Sequence, residues 1–291
     1  MTARTYLFVP GNRPERFAKA LASGADAVVL DLEDAVAAEA KSDARRAIAD
    51  WAAQAPAAER QRVVVRINDA ESALFADDLR LLASAGLQRA MLPKAERAEA
   101  VAAVCAALPG AQVLALVETA RGLSRVDAVA GSAGVLRLVF GTLDFALDLD
   151  LDIADHADGL AHAASRLVLA SRLAGLVAPV AGVTPQIDDE ARLLADLAWS
   201  RRFGFGAKLC IHPRQIDPIH AALAPSAQAV AWARRVLAAD AAQPGAAKLD
   251  GRMVDRPVVL QAHRTLERAG LQDITLEPAG LQDITLQRAG H

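Results

Sequence analysis

The sequence predicts an α/β protein built as a TIM (β/α)8 barrel with a C-terminal helical lid extension, on three observations. Eight short apolar runs alternate with Ala-, Leu- and Arg-rich segments of helical spacing. The runs are nearly continuous rather than alternating, as strands covered on both faces must be. The chain of 291 residues is long enough for one barrel of ~250 residues with a segment left over. An open doubly wound sheet, the main rival, normally carries a GxGxxG turn after its first strand. No such turn is present.

In chain order the expected strands are TYLFVP (5–10), AVVLDLED (27–34), RVVVRIN (62–68), RAMLPK (89–94), QVLALVE (112–118), LRLVFGTLD (136–144), GLVAPVAGV (175–183) and GAKLCIHP (206–213). Between them RPERFAKALASG, AEAKSDARRAIADWAAQ, ESALFADDLRLLASAG and RAEAVAAVCAAL carry apolar residues three and four apart, the spacing of one helix face. The barrel is expected over 1–222, a helical lid segment over 223–268 and a tail over 269–291, where AGLQDITLEP is followed at once by AGLQDITLQR. Two copies cannot make a solenoid. The Leu, Ile and Leu at 271, 274 and 276, repeated at 281, 284 and 286, would suit packing on a neighbouring subunit, or the tail is incidental.

Composition narrows the partners. With 53% hydrophobic and 23% charged residues and a net charge of −3, the chain reads as globular, with no electrostatic reason to bind nucleic acid. No run of about 18 apolar residues suits a membrane span. MTARTYLFVPGNRPER reaches a Pro-Gly turn too early for a secretory signal, so a cytoplasmic location is expected. Cys105 and Cys210 form no CxxC and read as small hydrophobes rather than a disulfide framework.

Function is sought where a barrel keeps it, at the C-terminal ends of the strands. Those ends carry Pro10 and Asn12, Asp31 and Glu33, Arg66 and Asn68, Pro93 and Lys94, Glu118, Asp144, Pro179 and His212. This accounts for VVLDLEDAV (28–36), an apolar run ending in three carboxylates that packing alone would not choose. Read as strand throughout, it would point Asp31 and Glu33 to one face and Leu32 and Asp34 to the other. Glu118 and Asp144 end adjacent strands ~5 Å apart, offering two hard oxygen ligands suited to Mg²⁺, which keeps further positions for water and a chelating substrate. Gly141 would let backbone approach a ligand closely. The plainer reading pairs each acid with a base such as Arg121 or Arg137. Arg66, flanked by apolar residues, needs an anion: either Asp31 or Glu33, or a substrate carboxylate held by its planar fork.

Other signals are weaker. Asp148, Asp150 and Asp152 alternate as in a Ca²⁺ loop, but Ile153 and Gly159 stand where an EF-hand needs Gly and Glu. His156 and His162 lack a metalloprotease context, and His212 before Pro213 reads as a structural hydrogen-bonding group. Lys94 and Lys208 would serve a Schiff-base aldol reaction, which requires a desolvated lysine in place of a metal.

Together TYLFVPGNRPERFAKALASGADAVVLDLEDAV, VRIN, ALVETARGL, FGTLDFALDL, GFGAKLCIHPRQI and LDGRMVDRPVV resemble the citrate lyase β-subunit/malyl-CoA lyase group of the HpcH/HpaI aldolase superfamily, over roughly residues 4–268. The resemblance implies a TIM barrel, Mg²⁺ on Glu118 and Asp144, a substrate-binding Arg66, and an acyl-CoA or acyl-carrier thioester as one reactant. It implies a homo-oligomer, commonly a trimer, in which Asp255 of the MVDRP motif acts as an acid in a neighbouring subunit's site; an Asp before Arg-Pro is also an ordinary turn residue. It makes Asn12, Arg13 and Arg16 candidates for the nucleotide-like tail. Asp31 and Glu33 join Arg66 and Asp255 as candidate catalytic groups.

The chemistry suits that constellation. Cleaving a 3-hydroxyacyl thioester into a 2-oxo acid and an acyl-CoA develops charge on two oxygens, which a cation and a guanidinium can stabilise. A carboxylic acid must then protonate the enolate carbon, the task for Asp255. Thioesterase or synthase chemistry would use the same site. A non-catalytic subunit of a lyase complex would tolerate loss of Glu118 or Asp144, and both are present.

Overall fold

The computed structural model describes residues 2–154, 156–245 and 247–271. Of the near-duplicated stretch, 272 onward lies outside the described residues, and with it most of the apolar positions considered for docking. The chain divides into two compact units, one ending at Leu223 and the next beginning at Ala224.

The first unit contains a closed parallel barrel in the order β1 to β8. Its strands are β1 (Thr5–Pro10), β2 (Ala27–Asp31), β3 (Val63–Arg66), β4 (Arg89–Leu92), β5 (Gln112–Val117), β6 (Val135–Phe140), β7 (Val177–Ala181) and β8 (Ala207–Cys210). Closure comes from β8 pairing with β1, Tyr6 opposite Leu209 and Leu7 opposite Cys210. All eight expected strands are present. Most end two or three residues early, because the polar residues after each apolar run leave the ladder to form the mouth. The β2 ladder stops at Asp31, so strand alternation does not decide where Glu33 and Asp34 point.

Strand period separates two apolar layers. Val29, Val64, Met91, Leu114, Leu116, Val139, Val180 and Leu209 fill the barrel interior. Val28, Leu30, Val65, Leu92, Val117, Leu138 and Phe140 pack outward under helices such as Lys41–Gln54 and Phe75–Ala85. Each buried Val or Leu contributes roughly 1.5–3 kcal/mol, so the outer layer holds the helices in place. The barrel floor carries a charge that the strand starts did not advertise. Arg137 is buried and donates to the carbonyls of Ala178 and Ala3 (2.7 Å to the latter) and to Tyr6 Oη (3.3 Å).

The second unit has its own small core, Val236, Leu237 and Val254 with Ala262 and Leu266, between helices Ala227–Ala242 and Arg256–Arg268. No helix among the described residues is long and apolar enough to cross a membrane.

Candidate functional site

Arg66 ends β3 and lies over the Phe8 ring, its guanidinium carbon 5.0 Å from the ring centroid. Its Nε donates to Asp31 Oδ1 at 2.7 Å and its Nη2 to Asp31 Oδ2 at 2.5 Å, a two-pronged pair. Nη1 lies 2.8 Å from Glu33 Oε2 without hydrogen-bond geometry, and 3.4 Å from Asp34. The arginine therefore does pair with Asp31 and Glu33, and the pairing aims it at the mouth. Asp31 also accepts the backbone N–H groups of Glu33 (2.8 Å) and Ala35 (3.1 Å), so its carboxylate is committed to holding the β2 loop and Arg66.

Glu33 is different. Burial pushes its pKa up to about 8, against the pull of Arg66 and with help from Glu118, Asp34 and Asp31. The loop bearing it is tied down by Lys41, whose Nζ donates to the carbonyls of Leu32 (2.7 Å) and Glu33 (2.9 Å) and to Asn68 Oδ1 (2.8 Å). Asn68 in turn donates to the fully buried Asp78, which Arg45 neutralises at 2.9 Å. Lys41, Asp78 and Arg45 carry no motif, and only their meeting in space shows that they brace the mouth.

Glu118 follows β5 and is buried, and Asp144 is exposed in the first turn of the helix Thr142–Asp148. Burial raises the Glu118 pKa to about 7; the Lys94 N–H opposes this and the charge of Asp144 reinforces it. Neither Arg121 nor Arg137 pairs with these acids: Arg121 lies on Glu96 at 3.3 Å and Arg137 sits in the floor. Among the described residues no group of three or more His, Cys, Asp or Glu is placed to hold a metal. Two repelling carboxylates, one of them buried, still fit a hard divalent cation that draws its other ligands from water and substrate.

Two backbone features hold Glu118. Lys94 adopts φ +43°, a left-handed conformation costing about 1–3 kcal/mol in a long side chain, and its N–H donates to Glu118 Oε1 at 2.8 Å. Gly141 is needed for space: a Cβ there would lie 2.5 Å from Glu118 Cβ and 2.6 Å from Oε2. The close approach expected at Gly141 is to the Glu118 side chain. Gly141→Ala is expected to displace that side chain, lowering stability by about 1–3 kcal/mol and divalent-cation affinity by ~10-fold or more. Thermal melts and a cation titration check both; an unchanged affinity would mean that Glu118 has room to move.

The remaining candidates are dispersed. Asn12 follows β1, and its Oδ1 is buried with no hydrogen-bond partner among the described residues; Arg13 and Arg16 extend into solvent, each 3.9 Å from Glu15. Asp255, in the second unit, caps the helix Arg256–Arg268 by accepting from the Val258 N–H at 3.2 Å. On that helix Leu260 is exposed and Val258 half-buried, and Leu266 is buried in its own unit. His212 Nδ1 accepts the Arg214 N–H at 3.2 Å, a local cap. Lys208 points out of the barrel rather than into the mouth, which removes it from any Schiff-base reading of this site.

The geometry can be set beside known proteins. A family model described as HpcH/HpaI aldolase/citrate lyase matches residues 4–213. A citrate lyase subunit beta-like protein of Mycobacterium tuberculosis is 40% identical over 270 residues, covering 91% of this chain and 95% of the relative. A (3S)-malyl-CoA thioesterase of Cereibacter sphaeroides is 32% identical over 270 residues, covering 91% and 94%. The crystal structure of CitE from Mycobacterium tuberculosis, in complex with magnesium, acetoacetate and coenzyme A, superposes with a TM-score of 0.82 at 38% identity, covering 92% of this chain and 98% of that one. With the barrel and the ordered mouth motifs on one continuous match, the chain belongs to the HpcH/HpaI aldolase/citrate lyase family.

Proposed function

We infer that the protein is a Mg²⁺-dependent carbon–carbon lyase that cleaves a short 3-hydroxyacyl-CoA of the citryl-, malyl- or citramalyl-CoA type into a 2-oxo acid and an acyl-CoA. The observation that carries this reading is the mouth itself. An oriented guanidinium, a buried carboxyl whose pKa burial raises, and a pair of acids suited to a cation converge on one place. Magnesium and coenzyme A in the M. tuberculosis CitE structure support the cofactor and the thioester.

Glu118 and Asp144 would hold Mg²⁺, which when bound supplies a Lewis acid for the hydroxyl and carboxylate oxygens of the substrate. Arg66, fixed by Asp31, holds the carboxylate and meets the charge that develops on the departing 2-oxo acid. Asp31 is thus a positioning residue. Glu33, whose pKa burial raises, would in its protonated form donate a hydrogen bond to a substrate oxygen. Asn12, with Arg13 and Arg16, would meet the nucleotide end of the thioester. A homo-oligomer, a trimer by the family's habit, would supply Asp255 from a neighbouring copy to protonate the enolate carbon.

The deciding experiment is a cleavage assay with and without Mg²⁺ over malyl-CoA, citramalyl-CoA, methylmalyl-CoA and citryl-CoA, reading glyoxylate, pyruvate, propionyl-CoA and oxaloacetate. The same assay should follow free CoA, because the Cereibacter relative is a thioesterase. Thiol release without a 2-oxo acid would favour that second reading. Asp255 has its own test. Asn caps a helix as well as Asp does, so Asp255→Asn keeps the fold and removes only the acid. Mixed oligomers of Asp255→Asn and Glu118→Gln subunits are expected to regain part of the activity that each parent lacks. Mixtures shown to have exchanged subunits, yet as inactive as the parents, would exclude completion of the site between copies.

A further inference from the structure

Outside the barrel wall, under the loops that follow β6 and β7, the first unit holds a second cavity. A cavity of ≈ 170 Å³ lies outside the barrel wall, lined chiefly by Phe140, Leu143, Ile153, Leu160, Trp199 and Phe205. Lys208 also lines it. On β8 the side chains of Ala207 and Leu209 fill the barrel interior, so Lys208 faces the opposite way, into the layer under the helices.

Its surroundings are unusual for an ammonium group. Lys208 is 2% exposed. Its Nζ donates to the Gly182 carbonyl at 2.8 Å, and among the described residues no carboxylate lies within ion-pair distance. Asp196, the acid lining the same cavity, is already engaged: it accepts from Arg192 Nε at 2.8 Å and from Thr184 Oγ1 at 2.6 Å. The Arg192 guanidinium is in turn spent on the carbonyls of Ile153 (3.3 Å) and Ala154, fastening that segment over the cavity. Burial accordingly pushes the Lys208 pKa down to about 8, with Asp196 opposing. Among the described residues the Lys208 ammonium has one neutral acceptor and an apolar chamber beside it, and a buried cation so placed is costly unless an anion joins it.

We propose that this cavity is a binding site for a small monocarboxylate with a branched or aromatic apolar body, its carboxylate on Lys208 Nζ and its body against the Phe and Trp rings. The size fits: an apolar cavity of about 150 Å³ accepts benzene. The site lies outside the barrel wall, and Leu143 in its lining precedes Asp144 in the chain.

The test is calorimetric titration of the full-length protein with 3-methylbutanoate and, in parallel, with 3-methylbutanamide, which has the same shape and no charge. The acid is expected to bind one-to-one, tenfold or more tighter than the amide, and Lys208→Met should erase that difference. Ala157→Leu, which fills the cavity from its lining and leaves Lys208 in place, should weaken acid binding tenfold or more, and carries the test alone should Lys208→Met not fold. Arg66→Lys should bind the acid as wild type does. The proposal is overturned by no saturable binding at millimolar acid, by equal binding of acid and amide, by full acid binding in Ala157→Leu, or by loss of binding in Arg66→Lys, which would place the acid at the mouth.

Discussion

Glu118→Gln is expected to cut turnover by ~10²-fold or more and to weaken Mg²⁺ binding, with Asp144→Asn close behind. Glutamine keeps the size of the side chain and one carbonyl oxygen, so the Lys94 N–H that donates to Glu118 Oε1 at 2.8 Å retains an acceptor. What is lost is charge. In the wild-type chain burial and the neighbouring Asp144 hold Glu118 up to about 7, and a bound dication offsets both penalties at once. The glutamine variant removes that repulsion, so its thermal stability without metal should equal or exceed that of wild type. Stability and Mg²⁺ affinity should therefore move in opposite directions. Calorimetric Mg²⁺ titration beside steady-state cleavage rates checks this; turnover that survives both substitutions and EDTA treatment would remove the metal from the mechanism.

Arg66→Lys should lower turnover of a carboxylate-bearing substrate by about 10²-fold while the barrel stays folded, since a displacement of about 1 Å at a reacting centre costs that much. Lysine preserves the charge opposite Asp31 and Glu33 but cannot reproduce two parallel bonds to the Asp31 oxygens, at 2.7 and 2.5 Å, together with a third nitrogen turned toward Glu33. Asp31 would keep the N–H groups of Glu33 and Ala35, so the β2 loop should hold its course. Circular dichroism and melting establish the fold, and kcat and KM are then read separately. Wild-type kinetics in the lysine variant would return Arg66 to a purely structural role as the partner of Asp31.

The fold was legible because its cause is local. A strand buried on both faces must be apolar along its length, and eight such runs with helical segments between them leave few alternatives to a closed barrel. The strand ends were less legible, because DLED, RIN and TLD continue the register on paper but leave the ladder where their polar groups find other partners. Arg66, Glu118 and Asp144 drew attention as candidates because each is a polar residue following an apolar run, although Asp144 lies on the first turn of the helix Thr142–Asp148 rather than on the strand. Lys41, Asp78 and the Lys94 backbone could not, since an amine, a carboxylate and an N–H are ordinary anywhere in a chain.

By itself the sequence determined the number and order of the strands, and the end of the barrel at which Arg66, Glu118 and their polar neighbours gather. Only the tertiary structure decided that Asp31 is committed to Arg66, that burial raises the Glu33 pKa, that Gly141 makes room for Glu118, and that Lys208 faces a chamber outside the barrel wall. Residue type and strand period depend on neighbours in the chain. A carboxylate's charge, a rotamer's free space and an amine's missing partner depend on groups distant in sequence, whose positions exist only once the barrel has closed.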